Sequence, residues 1–582
     1  MTTSRQSAIL SNIGLGASIA LIGAAASHPA QAQSGGSDGV AGARIGAVEV
    51  IAVNPSADAA VNSRATDCVR RAVNLFPGDV YSEERLSFAL GAARRCGMVA
   101  AVARDLEFGA DGLTIRLNVT LGAAAERADR GVFLQGGADD FPLLYDRNGV
   151  MVKTKLESMA LYYANNNAWY GQPDAMLNGN PLVEGSPAGR GYDDWVEGFV
   201  HYGLYGIAPL TDELYVYGGL SAITSGSSGQ ELFTDKTRSH TGVEDAYVGL
   251  VAGRTTAAGD RYVLNLSAGR QRFTLANAFL IANTAANGQE RAALQANARW
   301  AADMVGLAQF SVNNTKLEAF YVDPDELPLL DSKTRIAGLN LEFAPAAGLM
   351  VGGSYLFVPQ SNAAYFGPTG TPIGTRDGLR LYDMRFTYRP HPAGASGPFF
   401  GGELALQTHD DISMRATAGY GEVGYDFAGT KWRPSLSYRL SHFSGDDPAT
   451  CRYERWDPLL SGGNGEQWVQ GANHFKVVQD SNVTAHRIQL RLRPSPKFEI
   501  VPQLWAFRAD TLNNIGGNPA LSVMADREYG YEANVTGKWF ASHNVYVHGH
   551  VPYTRPGDAV EAALNGQARD WLSVMAFVRY AF

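Results

Sequence analysis

Apolar and polar residues alternate in short segments along the chain beyond residue 149, most plainly in the last, Trp571–Phe582. There Leu572, Val574, Ala576, Val578, Tyr580 and Phe582 fall on one side of an extended strand and Ser573, Met575, Phe577 and Arg579 on the other, because strand side chains change face with a period of two. The same period predicts strands near 150–165, 194–206, 213–224, 242–252, 260–272, 304–312, 316–322, 333–343, 349–357, 378–389, 398–408, 417–427, 431–442, 485–493, 497–508, 529–538, 543–552 and 570–582, about eighteen in all. An even number of antiparallel strands can close into a barrel that leaves no edge.

The gaps between strands are short and long in turn. The segments 208–212, 313–315, 344–348, 494–496 and 540–542 are short; 166–193, 273–303, 358–377 and 443–484 are long. Short turns on one rim and long loops on the other are the layout of an outer-membrane barrel, and the parity returns Phe582 to the periplasmic rim.

The charges say which face meets lipid. In 485–493, Arg487, Gln489, Arg491 and Arg493 oppose Ile488, Leu490 and Leu492. An Arg at the bilayer midplane costs about 2 to 4 kcal/mol, so the arginines are expected to face the lumen. Trp432, Leu436, Tyr438 and Leu440 should then point outward with Arg433 and Arg439 inward, and Arg385 and Arg389 should be luminal opposite Met384, Phe386 and Tyr388. Luminal arginines pair with luminal carboxylates such as Asp383, Glu403 and Glu532, or form a basic path for an anionic chain.

Ahead of the barrel pattern lies a different one. Residues 43–122 read strand, helix, helix, strand, strand: Val48–Val53, a helix over Arg64–Phe76 with Val69, Val73 and Phe76 on one side, a helix over Glu83–Cys96 after the cap Ser82, then a hairpin of 98–108 and 113–121 turning at 110–112. Residues 1–32 form a signal peptide, with Arg5, an apolar stretch and the site Ala30-Gln31-Ala32; residues 33–42 are a Gly/Ser-rich leader, and 123–148 a connector. The barrel is expected over 149–582.

Composition fits many short strands: of 582 residues, 65 are Gly, and 25 Phe, 26 Tyr and 9 Trp could supply interfacial girdles. No run beyond the N-terminus reaches the ~18 consecutive apolar residues of a membrane helix. A formal charge of -9 gives nucleic-acid binding no electrostatic footprint. Three cysteines are present; Cys68 and Cys96 fall on the two helices of 43–122, either bonded or as two buried thiols, and Cys451 is left over.

Three resemblances follow. The apolar end finished by Tyr580 and Phe582 resembles the insertion signal that barrel-assembly machinery reads, which implies that machinery and outer-membrane lipid as partners. The run LFPGDVYSEERLSFALGAARRCGMVAAV with DGLTIRLNVTL resembles a polypeptide-transport-associated (POTRA) domain over about 75 residues, implying a periplasmic module that docks biosynthesis or export proteins. LSAGRQRF (Leu266–Phe273), the stretch Tyr438–Trp468 followed by IQLRLRPSPKFEIVPQLWAFRAD, and VPYTRPGDAVEAALNGQARDWLSVMAFVRYAF resemble the alginate-export outer-membrane porins over roughly 150–582. That resemblance implies export of an anionic exopolysaccharide through a basic lumen, with Arg270, Arg272, Arg433, Arg439, Arg487 and Arg491 as luminal contacts and Asp457 in a long external loop. The fused N-terminal domain departs from the family's usual arrangement. A protein translocator of the two-partner-secretion type, for which the V-R-G-[FY] motif is missing, and a diffusion porin are the rival readings.

Other motifs weigh little. Gly419–Gly424 satisfies G-x-G-x-x-G without a βαβ context. Asp323, Asp325, Glu326 and Asp331 read as a solvated acidic loop before a cation site, and His409-Asp410-Asp411 has no nucleophile placed beside it. No enzyme, cofactor or metal site is expected.

Overall fold

The computed structural model describes residues 45–581 except 57–58, 74, short stretches within 76–98, 110–111, 123–142, 148–149, 169–190, 212, 230–235, 257–259, 347, 392–394, 463–469, 519–520 and 543. The signal peptide, the leader, most of the connector and Phe582 lie outside the described residues.

The N-terminal unit has β1 (Ile45–Ala52), α1 (Ala59–Val73), β2 (Val99–Gly109) and β3 (Gly112–Leu121), in a sheet ordered β1-β3-β2. β1 runs parallel to β3 and β2 antiparallel to it. α1 starts five residues before the expected Arg64, and in its first turn the Asn62 side chain exchanges hydrogen bonds with the Ser56 backbone at 2.7 and 2.8 Å. Leu86, Ala89, Leu90 and Ala93 are helical and buried with Val69, Val73, Ile115 and Leu117. Cys68 and Cys96 are joined by a disulfide, their Cα atoms 6.1 Å apart.

Eighteen antiparallel strands close the barrel. They are β5 (Val150–Asn166), β6 (Tyr192–Pro209), β7 (Leu214–Gly229), β8 (Arg238–Thr255), β9 (Arg261–Arg272), β10 (Ala301–Val312), β11 (Thr315–Asp323), β12 (Arg335–Ala346), β13 (Leu349–Gln360), β16 (Leu379–Tyr388), β17 (Gly397–His409), β18 (Ala416–Asp426), β19 (Ser435–Phe443), β20 (Val483–Ser495), β21 (Phe498–Arg508), β22 (Glu528–Phe540), β23 (Val545–Pro556) and β24 (Trp571–Ala581). β24 pairs with β5 from Leu572↔Asn166 to Ala581↔Glu157, which shuts the cylinder. The end of the connector is not a loop: β4 (Leu143–Arg147) pairs with the start of β5 below the reach of β24. A small hairpin, β14 (Ala364–Phe366) and β15 (Pro372–Thr375), stands on the long-loop rim.

The outer face is apolar and exposed. Met384 and Leu404 are 75% and 72% accessible, and Val200, Leu204, Val248, Leu436, Ile488, Val535 and Val578 are also open. Such a surface is a liability in water and a requirement in lipid. On β24 the alternation is as expected: Leu572 and Val578 point out, while Ser573, Met575, Phe577 and Arg579 are buried inside.

Two expectations fail. Trp432 and Arg433 do not open a strand; they have φ of 67° and 43° in the turn before β19, so Arg433 sits at the short-turn rim rather than on a luminal strand face. Two of the long loops expected outside, 273–303 and the described part of 443–484, fold inward. All residues of 278–288 and 291–300 are buried, because the first segment is apolar enough (Phe279, Leu280, Ile281) to pack against Phe443 and the upper barrel wall.

Candidate functional site

The lumen is a wall of polar residues set in register. One luminal row runs Tyr217 to Asn265 (2.5 Å), Asn265 to Gln309 (3.1 Å), Gln309 to Glu318 (2.5 Å), Asn340 to Glu318 (3.5 Å), Ser354 to Asn340 (3.1 Å) and Arg385 to Ser354 (2.8 Å). These residues sit on β7, β9, β10, β11, β12, β13 and β16, each side chain satisfying the next.

The predicted arginines divide into two sets. Arg385, Arg439 and Arg487 are buried at mid-height. Arg385 bonds Asp383 at 2.7 Å and lies 3.3 Å from Glu342. Arg439 and Arg487 are register partners, and their guanidiniums lie 5.4 and 5.7 Å from the Trp505 ring centre. Arg487 is also 2.6 Å from Glu422. The second set is accessible near the short-turn rim. Arg491 and Arg493, 30% and 20% open, share Glu499 with Lys538 at 3.5, 3.2 and 3.4 Å. Arg389, 47% open, pairs with Asp426 and lies 4.6 Å over the Phe399 ring.

Arg270 and Arg272 belong to neither set. Gly269 has φ of 127° and marks a bulge, where the β9–β10 register slips. Past it, Arg270 pairs with Asp303 and Asp325 and donates to the Val243 carbonyl at 3.0 Å, and Arg272 lies 5.4 Å from the Trp300 ring. They anchor loops at the upper rim.

The inward loops are held by wall carboxylates, of which sequence reading named Glu403 and Glu532 and missed Glu197 and Glu244. Glu197 on β6 accepts from the backbone N–H groups of Gln295 and Ala296 at 2.7 and 2.6 Å. Glu244 on β8 accepts from Trp300 and Ala301 at 2.7 and 3.0 Å. Glu532 on β22 accepts from Ala472, Asn473 and His474 at 2.6, 3.1 and 2.9 Å, at the start of α2 (Asn473–Val478). Glu403 on β17 accepts from the Asn277 amide at 2.6 Å. Segment 273–300 thus crosses the barrel from β17 to β6, with Leu294 and Ala296 packed beside Trp195 and Met575. Glu403 and Glu532, expected to pair with arginines, instead hold loops. Luminal parity on predicted strands, which flagged Glu403 and Glu532, could have flagged Glu197 as well; what each would grip was not legible.

The loops also lock one another. Asp325 receives Arg270, Arg291 at 2.7 Å and Arg299 at 3.3 Å. Burial works to raise its pKa, but Arg291 and Arg270 outweigh it and hold the carboxyl below its usual range. The expected acidic loop is solvated only in part: Asp331 is exposed beside Lys333, whereas arginines fill Asp325, and Ser332 and Thr334 bond Glu326. Asp457, expected outside, is buried; Arg376 grips it at 2.7 and 3.0 Å, and Gln407 bonds its backbone at 2.7 and 2.9 Å. In the same loop, burial pushes Lys476 down to about 7 and Asp480 up to about 7. The Lys476 ammonium bonds the Tyr163 hydroxyl and lies 4.4 Å from its ring centre, and Asp480 accepts from Ser461 at 2.7 Å.

Two constellations need a chemical reading. Ser221, His201 and Asp245 cluster in the wall, with Ser221 Oγ 2.7 Å from His201 Nε2 and 2.7 Å from Asp245. The serine gives its proton to the carboxylate and also accepts from the Asp245 N–H at 2.9 Å, so its oxygen is engaged rather than poised for attack. His409 Nδ1 accepts from the N–H groups of Asp411 and Ile412, which makes it a turn former. Gly419 and Gly421 lie within β18, and Cys451 is exposed at a loop tip.

No family model matches the chain, and no curated protein matches it. Solved barrels from Pseudomonas aeruginosa align with it: OccK7 (OpdD) at 10% identity over 74% of this chain and 98% of that one, TM-score 0.45; OccK5 (OpdH) at 11% over 74% and 98%, TM-score 0.43; and OprD at 12% over 74% and 95%, TM-score 0.42. At that distance the fold of this chain rests on its own strand pairings.

Proposed function

We propose that the protein is an outer-membrane channel for anionic solutes of the acidic-sugar class, gathered at the short-turn mouth and passed along a lumen narrowed by its own loops. The observation that supports this is the charge of that mouth. Arg389, Arg433, Arg491, Arg493 and Lys538 stand there with Asp426 and Glu499, and three of the cations share Glu499. A low-dielectric wall raises the attraction of such a cluster for an anion above its value in bulk water.

The narrower reading is export of a whole anionic exopolysaccharide. It is favoured by the fused N-terminal unit, whose β1-β3-β2 sheet and two helical segments suit a POTRA-like docking module for periplasmic partners. The signal peptide and the Tyr580–Phe582 end agree with export and insertion of the barrel. The missing V-R-G-[FY] motif counts against a protein translocator.

Planar-bilayer recordings test the reading. Oligouronates added on the short-turn side should block current in the wild type, and Arg491→Ala with Arg493→Ala should weaken the block about tenfold or more. Equal block in both proteins, or none in either, would sink it. Block by a polymer but not by mono- or disaccharide acids would favour export over diffusion.

A further inference from the structure

The luminal face of β23 carries chemistry that anion passage does not use. Its triplet His548-Gly549-His550 puts two imidazoles on the same side of the strand, both buried, at 0% and 3% exposure. Each ring is held through Nδ1: His548 by the Tyr546 hydroxyl at 3.0 Å and His550 by the Thr536 hydroxyl at 2.8 Å. Each Nε2 is buried without a hydrogen-bond partner among the described residues. Buried polar atoms are almost always satisfied, so two open nitrogens on neighbouring rings call for lumen water or an ion.

The spacing suits one metal ion. The ring centres are 6.3 Å apart with planes at 40°. With metal–nitrogen bonds of about 2.0–2.1 Å, two imidazoles sharing an ion have centres about 5.2–5.5 Å apart at tetrahedral or trigonal angles and about 6.4 Å apart when the two bonds are collinear, so this pair suits a nearly linear arrangement, one open to Cu(I) and foreign to tetrahedral Zn2+. A ligating histidine is commonly oriented by a partner on its other nitrogen, which is the part Tyr546 and Thr536 play. Phe577 stacks on His548 at 4.8 Å and 7° and fixes the ring further.

The third ligand sets the metal. No three of His, Cys, Asp and Glu converge among the described residues. Met575, buried and luminal, is the register partner of His550 on β24, and directly opposed Cβ atoms lie about 4.5–5.5 Å apart. Lys538, the register partner of His548, turns its ammonium to Glu499, 3.4 Å away. Imidazole with thioether selects soft copper over hard cations. We propose that His548, His550 and Met575 form a copper site in the barrel wall, with Cu(I) the preferred ion.

Titration of the metal-stripped, full-length protein in detergent tests this, with Cu(I) held in competition with a chromogenic chelator and Zn2+ titrated separately. The wild type should bind one equivalent of Cu(I). His548→Asn with His550→Asn should bind at least tenfold more weakly, and Met575→Leu should weaken Cu(I) but leave Zn2+ unchanged. X-ray absorption at copper should show nitrogen and sulfur neighbours in the wild type. Folding is checked by the faster migration of an unheated barrel on gels. Should the double histidine variant not fold, Met575→Leu and the absorption spectrum decide. Absence of Cu(I) binding by the wild type, an unchanged affinity in the folded double variant or in Met575→Leu, or a spectrum without sulfur would overturn the assignment.

Discussion

At the scale of single residues, carboxylates on the wall act as receptors for loop backbone. Glu532 accepts three N–H groups from 472–474, so Glu532→Gln should cost about 1 to 3 kcal/mol of loop docking. That corresponds to a rise of about 5- to 160-fold in the undocked population, seen as more frequent large-conductance events in single-channel records. Unchanged records would argue that the loop is held elsewhere. Asp480 makes a pH-dependent contribution. Its docked pKa, raised by burial to about 7, lies above the ordinary carboxyl value, so docking is favoured when it is protonated and loses that contribution as pH rises through 7. Lys476, lowered to about 7, keeps its own cost nearly constant below that pH, since it is then charged both docked and undocked. Acidification from pH 7 towards 4 should therefore reduce the open fraction, and Asp480→Asn should flatten the response; an unaltered slope in the variant would refute the assignment.

At the scale of elements, the strands were legible and the loops were not. Period-two alternation placed β5 to β13 and β16 to β24 because lipid on one side and polar lumen on the other impose it along each strand. No comparable period governs 273–300 or 444–482, whose apolar residues are spent on one another and on the upper wall. The run Phe279-Leu280-Ile281 was the available hint, since three consecutive apolar residues seldom stay in water. Arg433 was misplaced for a related reason: alternation continues through Trp432 in the sequence, but the positive φ of both residues turns the chain. Deleting 277–298 and joining the ends with glycines should raise conductance several-fold, because that segment crosses the lumen between Glu403 and Glu197. In the N-terminal unit, Cys68→Ser with Cys96→Ser removes a link across 28 positions and should destabilise that unit by about 3 kcal/mol, read by its denaturant midpoint, while the barrel transition stays in place.

At the scale of the whole molecule, net charge misleads. The chain carries a formal -9, yet its short-turn mouth gathers arginines around Glu499 and Asp426. Pairing spends much of the mid-height set, since Arg385 and Arg487 lie against Asp383 and Glu422, so a count of luminal arginines overstates the path open to a solute. The accessible residues are at the mouth, and ion preference should follow them. Reversal potential in a planar bilayer under a tenfold KCl gradient is the most direct measurement: a voltage of the sign set by chloride permeation is predicted, reduced towards zero by Arg389→Ala, Arg491→Ala and Arg493→Ala together. A potential of the cation-selective sign in the wild type, or a folded barrel that passes no current, would contradict it.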